Sequence, residues 1–193
     1  MKNFLSFIKI IRPLNVLSSG VAILFSSFIS DYQGPPEQIL IPILVVIFFT
    51  IGANILNDYF DYDTDKINRP DRSIVNGDIT REQALYLSLI SFIIGVYFAL
   101  RLSSDSQIIS LGISLPLLFL YNAKIKNYPL IGNIIVSLII GLSFIYAGVV
   151  FENVKPLIVP SLLAFGLTLI REVVKDIADF KGDEAIGART LPI

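Results

Sequence analysis

The stretch Asn54–Gly77, NILNDYFDYDTDKINRPDRSIVNG, follows directly on an apolar run and decides how the chain is read. On a helix, successive side chains turn by about 100°. At that period Asn54, Asn57, Asp58, Asp61 and Asp65 fall within an arc of roughly 100°, and Asp63 points the opposite way. Three carboxylates on one stripe repel one another. At about 6 Å and an effective dielectric near 20, each pair costs roughly 2–3 kcal/mol. Such a stripe persists only where a cation or a set of basic groups compensates it. A second stripe lies in REVVKDIADFKGD, residues 171–183, where Glu172, Asp176, Asp179 and Asp183 share a narrow arc. Two acidic helix faces, each ending an apolar segment, have the pattern of a split metal site.

Outward from these stripes the chain is apolar. Of its 193 residues, 54% are hydrophobic, and mean hydropathy is +0.73. These values describe a polytopic membrane protein rather than a soluble domain. The net charge of −1 leaves no electrostatic footprint for nucleic acid. The chain has no Cys, which excludes disulfides, thiolate metal sites and a Cys nucleophile. It has no His, the commonest general base and transition-metal ligand. A metal here must be held by oxygen, which favours Mg²⁺, Mn²⁺ or Ca²⁺. The start, MKNFLSFIKIIRP, reads as an amphipathic lead-in helix, because no small-residue cleavage site follows it.

Six apolar segments are expected, at 14–30, 38–57, 83–100, 106–121, 130–151 and 156–175. Each is near the roughly 20 residues that span a bilayer. Thr80 with Gln83 forms a capping box for the third. Ser104 to Ser106 can cap the fourth, which carries Pro116, and Pro156 suits the first turn of the sixth. Gly141, Gly148 and Gly166 are expected at close helix contacts. With the N-terminus in the cytoplasm, only Arg101 and Lys155 of the 15 Lys and Arg residues fall on the far side. That asymmetry orients the chain, with N-terminus and both acidic stripes cytoplasmic.

Carboxylates from two helices can hold one or two Mg²⁺ ions and leave positions open for phosphate oxygens. Arg69, Arg72, Lys124, Lys126 and Lys175 lie on the same membrane face. Metal plus Lys and Arg suits a diphosphate. The apolar helices suit a long hydrocarbon tail, at about 0.8 kcal/mol per buried methylene. Together these features point to an enzyme that ionises a prenyl diphosphate, leaving an allylic cation for an acceptor to attack.

The pattern Asn57-Asp58-x-x-Asp61-x-x-x-Asp65, with Asn68-x-Pro70-x-Arg72 and Gly77, resembles the first motif of the UbiA-type intramembrane prenyltransferases. Asp176, Asp179, Gly182, Asp183, Gly187 and Thr190-Leu191-Pro192 resemble the second. The resemblance spans the chain. It implies an all-α transmembrane bundle with a central cavity, Mg²⁺, and prenyl transfer from a polyprenyl diphosphate. It also implies Asp61, Asp65, Asp179 and Asp183 as catalytic, with Asn57, Asp58 and Asp176 joining them around the metal. Arg72, Lys124, Lys126, Tyr121, Lys175 and Asn15 are the candidate substrate contacts. Within the family, REVVKDIADFKGDEAIGARTLP looks most like the geranylgeranylglyceryl-phosphate geranylgeranyltransferases, which build the archaeal diether lipid core. The acceptor so implied is the free hydroxyl of a prenylated glycerol phosphate, with Lys124 and Lys126 as candidates for its phosphate.

Two features depart from the family. It usually has nine transmembrane helices, so residues 1–193 are expected to form one prenyltransferase domain lacking the last three. Relatives carry Tyr-x-x-x-Lys after the fourth segment, where this chain has Tyr121-Asn-Ala-Lys124-Ile-Lys126.

Plainer readings compete. A single acidic helix end is ordinarily a solvated cap, and cytoplasmic Lys and Arg are ordinarily orientation signals and headgroup contacts. Arg12-Pro13-Leu14-Asn15 ordinarily marks a helix entry. Asp61-x-Asp63-x-Asp65 also has calcium-loop spacing, but Lys66 stands where that loop needs Gly and Arg72 where it needs Glu. Other functions remain open to the sequence: prenyl transfer to an aromatic acceptor, as in quinone or chlorophyll pathways, or divalent-cation transport. Transport would place acids near the bilayer midplane, whereas these lie at helix ends. The oligomeric state is not legible.

Overall fold

The computed structural model describes residues 2–128 and 130–185, with side chains over 5–126, 128 and 130–178. The described residues form helices and connections, without strands. Helix α1 spans Lys2–Ile11, α2 Pro13–Ile29, α3 Glu37–Phe60, α4 Tyr62–Asn68 and α5 Arg81–Ala99. Next come α6 (Ser104–Gln107), a π-helical stretch (Ile108–Ser114), α7 (Leu115–Ala123), α8 (Ile131–Val150) and α9 (Ile158–Ala185). Five stretches are long and apolar enough to cross a membrane singly: α3, α5, Ser104–Ala123, α8 and Lys155–Ala178. Taken together as one pair bent by 48°, α1 and α2 make a sixth candidate span. All six expected segments are therefore helical.

Local sequence accounts for the breaks. Arg12 precedes Pro13, whose ring disfavours the α conformation at the residue before it. Arg12 instead adopts φ 58°, a left-handed value that costs a non-glycine residue about 1–3 kcal/mol. The bend between α1 and α2 follows. Pro116 would clash with the carbonyl four residues back in an ordinary helix. The wider π turn before it removes that register, with Leu115 N–H bonded to Ser110 O. Thr80 and Gln83 form the reciprocal capping box. The fourth span is capped one residue earlier than expected: Ser103 Oγ accepts the Ser106 N–H.

Helices α3 and α5 pack closely because glycines face rings. A Cβ on Gly95 would lie 2.5 Å from the Phe49 ring, and one on Gly52 would lie 3.0 Å from Phe92. Ser88 Oγ adds a bond of 2.8 Å to Gly52 O. Gly141 meets Ser161 on α9 and Gly148 meets Val154, both as close contacts. Gly166 has open space around its Cα, contrary to expectation. One core joins Ile23, Val45, Phe49, Leu56, Phe92 and Tyr146 across the bundle. A second, of Ile10, Ile55, Ile74, Ile79 and Ala84, lies where α1 and the loop after α4 meet α3 and α5. This smaller cluster positions the first acidic stripe.

Lipid-facing surface explains the exposed apolar residues. Leu163, Leu167, Ile170, Val174 and Ile177 recur every three or four positions along α9 and are all at least 59% exposed. In water such a stripe would be a liability, and in a bilayer it is the solvated face.

Candidate active site

The first stripe does not lie on one unbroken helix. Helix α3 ends at Phe60 and α4 begins at Tyr62, with Asp61 at the junction (φ −84°, ψ 6°). Asp61 N–H still bonds to Asn57 O and Asp65 N–H to Asp61 O, at 2.9 and 2.8 Å. The i, i+4 phase therefore survives the break, and the face is kept. Asp58 and Asp65 are each 4% exposed. The Asp63 side chain is 70% exposed and bonds only outward, to Lys66 at 3.0 Å.

Arginines and a lysine meet the buried carboxylates. Arg72 Nη1 bridges Asp58 Oδ1 at 2.5 Å and Asp65 Oδ2 at 2.6 Å. Arg12 Nη2 also donates to Asp58 Oδ1, and at 3.3 Å to Asn57 Oδ1. Lys126 Nζ donates to Asp61. Burial pushes the Asp65 carboxyl from 3.8 up to about 6; Arg72 pulls against that, and Asp61 and Asp58 add to it. Desolvation outweighs the Arg72 ion pair, and repulsion from the nearby Asp61 and Asp58 carboxylates works in the same direction.

The second stripe approaches the first from α9. Helix α4 packs against α9. Glu172 is buried and flanked by Arg171 Nη1 at 3.0 Å and Lys175 Nζ at 3.6 Å. Asp176 Oδ2 accepts from Asn133 Nδ2 of α8 at 2.8 Å. Tyr121, at the end of α7, stands in the fields of Glu172, Asp61 and Asp176 together. Asp179 and Asp183 lie on the last turns of α9, and their side chains fall outside the described residues.

The donor set suits magnesium in chemistry, being all oxygen. Arg72 Nη1 touches both Asp58 and Asp65, so the two carboxylate oxygens lie within about 5 Å of each other, around one positive charge. Among the described residues, no group of three carboxylates has metal-binding geometry. A ligand set for Mg²⁺ would draw on Asp61 and Asp65 from the first stripe with Asp179 and Asp183 from the second.

The other expected substrate residues divide. Arg72 and Lys126 are inside the constellation. Lys175 is on its edge beside Glu172. Lys124 and Asn15 are exposed, whereas Arg12, three residues before Asn15, reaches the site. Sequence reading left Arg12 as a helix entry, and it also missed Asn133. Arg12 acts across 46 positions and Asn133 across 43. Asn54 turned out structural: its Nδ2 donates to Ile11 O at 2.9 Å and fastens α1 to α3.

An all-helical bundle of apolar spans defines a multi-pass membrane protein, and its acidic side chains gather at helix ends where α4 packs against α9. Residues 19–193 match the UbiA prenyltransferase family, to which this chain belongs. A digeranylgeranylglyceryl phosphate synthase of Pyrococcus horikoshii is 40% identical over 190 residues, covering 97% of this chain and 68% of the relative. The same synthase of Methanosphaera stadtmanae is 35% identical over 187 residues, with the same two coverages. A solved structure of digeranylgeranylglyceryl phosphate synthase superposes with a TM-score of 0.84 at 31% identity, covering all of this chain and 69% of that one. A UbiA homolog from Archaeoglobus fulgidus, solved with GPP and Mg²⁺, shares the fold with a TM-score of 0.70 at 16% identity, over 97% of this chain and 68% of its own. The chain is thus a prenyltransferase with multiple membrane helices, and the transport reading is set aside.

Proposed function

We propose that this enzyme transfers a geranylgeranyl group from geranylgeranyl diphosphate to the hydroxyl of geranylgeranylglyceryl phosphate, making the second ether of an archaeal-type lipid core, with Mg²⁺. The observation that carries the reading is the packing of α4 against α9, with Lys126 on Asp61. The relatives named for this synthesis supply the acceptor. The Mg²⁺-bound relative supplies the metal.

In the reaction the allylic C1–O bond breaks and its electron pair leaves on the diphosphate. The acceptor oxygen bonds to C1, and its proton passes to a basic oxygen in the site. Bound Mg²⁺ would neutralise charge on the departing diphosphate. Lys126 and Arg72 add positive charge at the same end, poised by carboxylates that hold them in place before substrate arrives. The apolar helices take the prenyl tails, which keeps water from the allylic cation.

An acceptor screen tests the reading. Membranes holding the chain receive labelled donor with a panel of glycerol phosphate and aromatic acceptors, and products are read by mass. The diether phosphate is the expected product. Asp61→Ala is expected to abolish it, a loss of at least a hundredfold, while the variant still inserts. A prenylated aromatic product, or full activity in Asp61→Ala, would refute the proposal.

A further inference from the structure

Two side chains seven positions apart touch the two acidic stripes, one each. Lys126 Nζ donates to Asp61 of the first stripe. Asn133 Nδ2 donates to Asp176 Oδ2 of the second, at 2.8 Å. Lys126 sits on a 3₁₀ turn, Ile125–Asn127, and Asn133 on the first turn of α8. The turn is seated on the α3–α4 junction, because Lys126 Nζ also stands 5.7 Å from the centre of the Phe60 ring.

Backbone contacts fix the spacing of these two residues. Gly132 lies directly on the turn: a Cβ there would stand 2.9 Å from Lys126 Cα and 3.1 Å from Ile125 O. Those are backbone atoms, so no flexible side chain can give way. Tyr128 N–H bonds to Ile125 O at 2.9 Å, and Gly132 N–H bonds to Tyr128 O at 3.2 Å. Leu130 takes φ 61° just before α8 starts, a left-handed value that a non-glycine residue keeps only where its surroundings hold it. Asn133 itself is 6% exposed, and Ser137 Oγ donates to its carbonyl at 2.5 Å. A buried amide is costly unless it is hydrogen-bonded, and Asn133 spends its N–H on a carboxylate of the neighbouring helix. An ionised carboxylate only accepts hydrogen bonds. A donor anchored on α8 therefore sets which way the Asp176 carboxylate turns, as outer partners commonly do for groups that face a ligand.

We infer that Asn133 is a positioning residue for binding of the donor diphosphate. It holds the Asp176 carboxylate at a fixed place relative to Lys126 and Asp61, and Gly132 lets α8 close on the Lys126 turn so that the place is kept. The inference rests on the prenyl diphosphate donor proposed above. Asn133 acts through Asp176 rather than by touching substrate. With the donor N–H in place, the carboxylate is oriented before the diphosphate arrives. Without it, the carboxylate must be ordered on binding, which weakens binding.

Thermal unfolding of the detergent-solubilised full chain provides the test. The probe is geranylgeranyl thiolodiphosphate with Mg²⁺; its C1–S bond resists cleavage, so binding is read without turnover. The quantity measured is the probe concentration that gives half of the maximal rise in the midpoint. Asn133→Ala is expected to raise that concentration at least about tenfold. Asp176→Ala should raise it as much, and the double variant no further, because the two residues act as one unit. A multiplied loss in the double variant would overturn the inference, as would an unchanged value in Asn133→Ala. Ser137→Ala removes the next buried polar contact along α8. It should lower the midpoint of the ligand-free chain and leave the half-maximal concentration within about twofold. An equal loss of probe binding in Ser137→Ala would trace the effect to general loosening of α8 and overturn the inference. If Asn133→Ala does not fold, Asn133→Leu keeps the branched shape without the donor, and the same loss is expected. If wild type responds to Mg²⁺ with inorganic pyrophosphate and not to the prenyl probe, the prenyl reading fails on its own, and the variants are compared with pyrophosphate. A wild type that responds to neither overturns the inference.

Discussion

At the residue scale, the site is a set of carboxylates neutralised before any ligand arrives. Asp58 answers to two guanidinium groups, and Asp65 shares one of them. Removing a partner from such a buried set ordinarily costs about 3–5 kcal/mol, because the remaining charge is left without compensation. The arrangement has a pH signature. Asp65 titrates near 6 in the fold against 3.8 for a free side chain, so the folded protein binds its proton more tightly. That stabilising contribution is fully present below about 3.8 and is lost as pH rises through about 6. The protonated carboxyl is a poor metal ligand. Under the proposed Mg²⁺ chemistry, the concentration of Mg²⁺ for half-maximal activity should rise severalfold between pH 7.5 and pH 5.5. Asp65→Asn should remove that pH dependence along with most activity. A flat Mg²⁺ requirement across this range would exclude Asp65 as the titrating ligand.

At the element scale, α1 is the part that local sequence describes least well. Alone it is a ten-residue amphipathic helix, too short to be stable in water. It becomes fixed because its Ile10 joins the small core under the acidic loop and because Asn54 accepts the duty of capping it. Asn54→Ala leaves the Ile11 carbonyl without that donor, at a cost of about 1–3 kcal/mol. The expected result is a lowered thermal midpoint and faster tryptic cleavage after Lys9, with α3 and α5 still folded by circular dichroism. Unchanged cleavage after Lys9 would show that the small core alone holds α1. The break at Asp61 belongs to the same scale. It lets α4 turn onto α9 while keeping the acidic face in phase.

At the scale of the whole molecule, basic residues gather at one end of the bundle, the end that carries the acidic site. The positive-inside rule predicts a cytoplasmic location for that end. The chain lacks cysteine, so single substitutions report topology without background. Asn76→Cys, at the site end, should react with a membrane-impermeant maleimide only in inside-out vesicles, and Ser104→Cys, at the other end, only in right-side-out ones. The reverse pattern would overturn the orientation. Six apolar helical segments, the capping box at Thr80 and the acidic face from Asn57 to Asp65 were all legible in the amino-acid sequence. Hydropathy, capping and helical period are local properties, decided by residues within a few turns of one another. The compensation of that face was not legible. Arg12 reaches Asp58 across 46 positions and Lys126 reaches Asp61 across 65, because a proline bend and a returning helix both end beside the last turn of α3. Such pairings depend on how whole helices lie against each other, and no local period encodes them. The chain's order of residues determined that there would be two acidic helix ends; only the tertiary structure decided which cations would meet them.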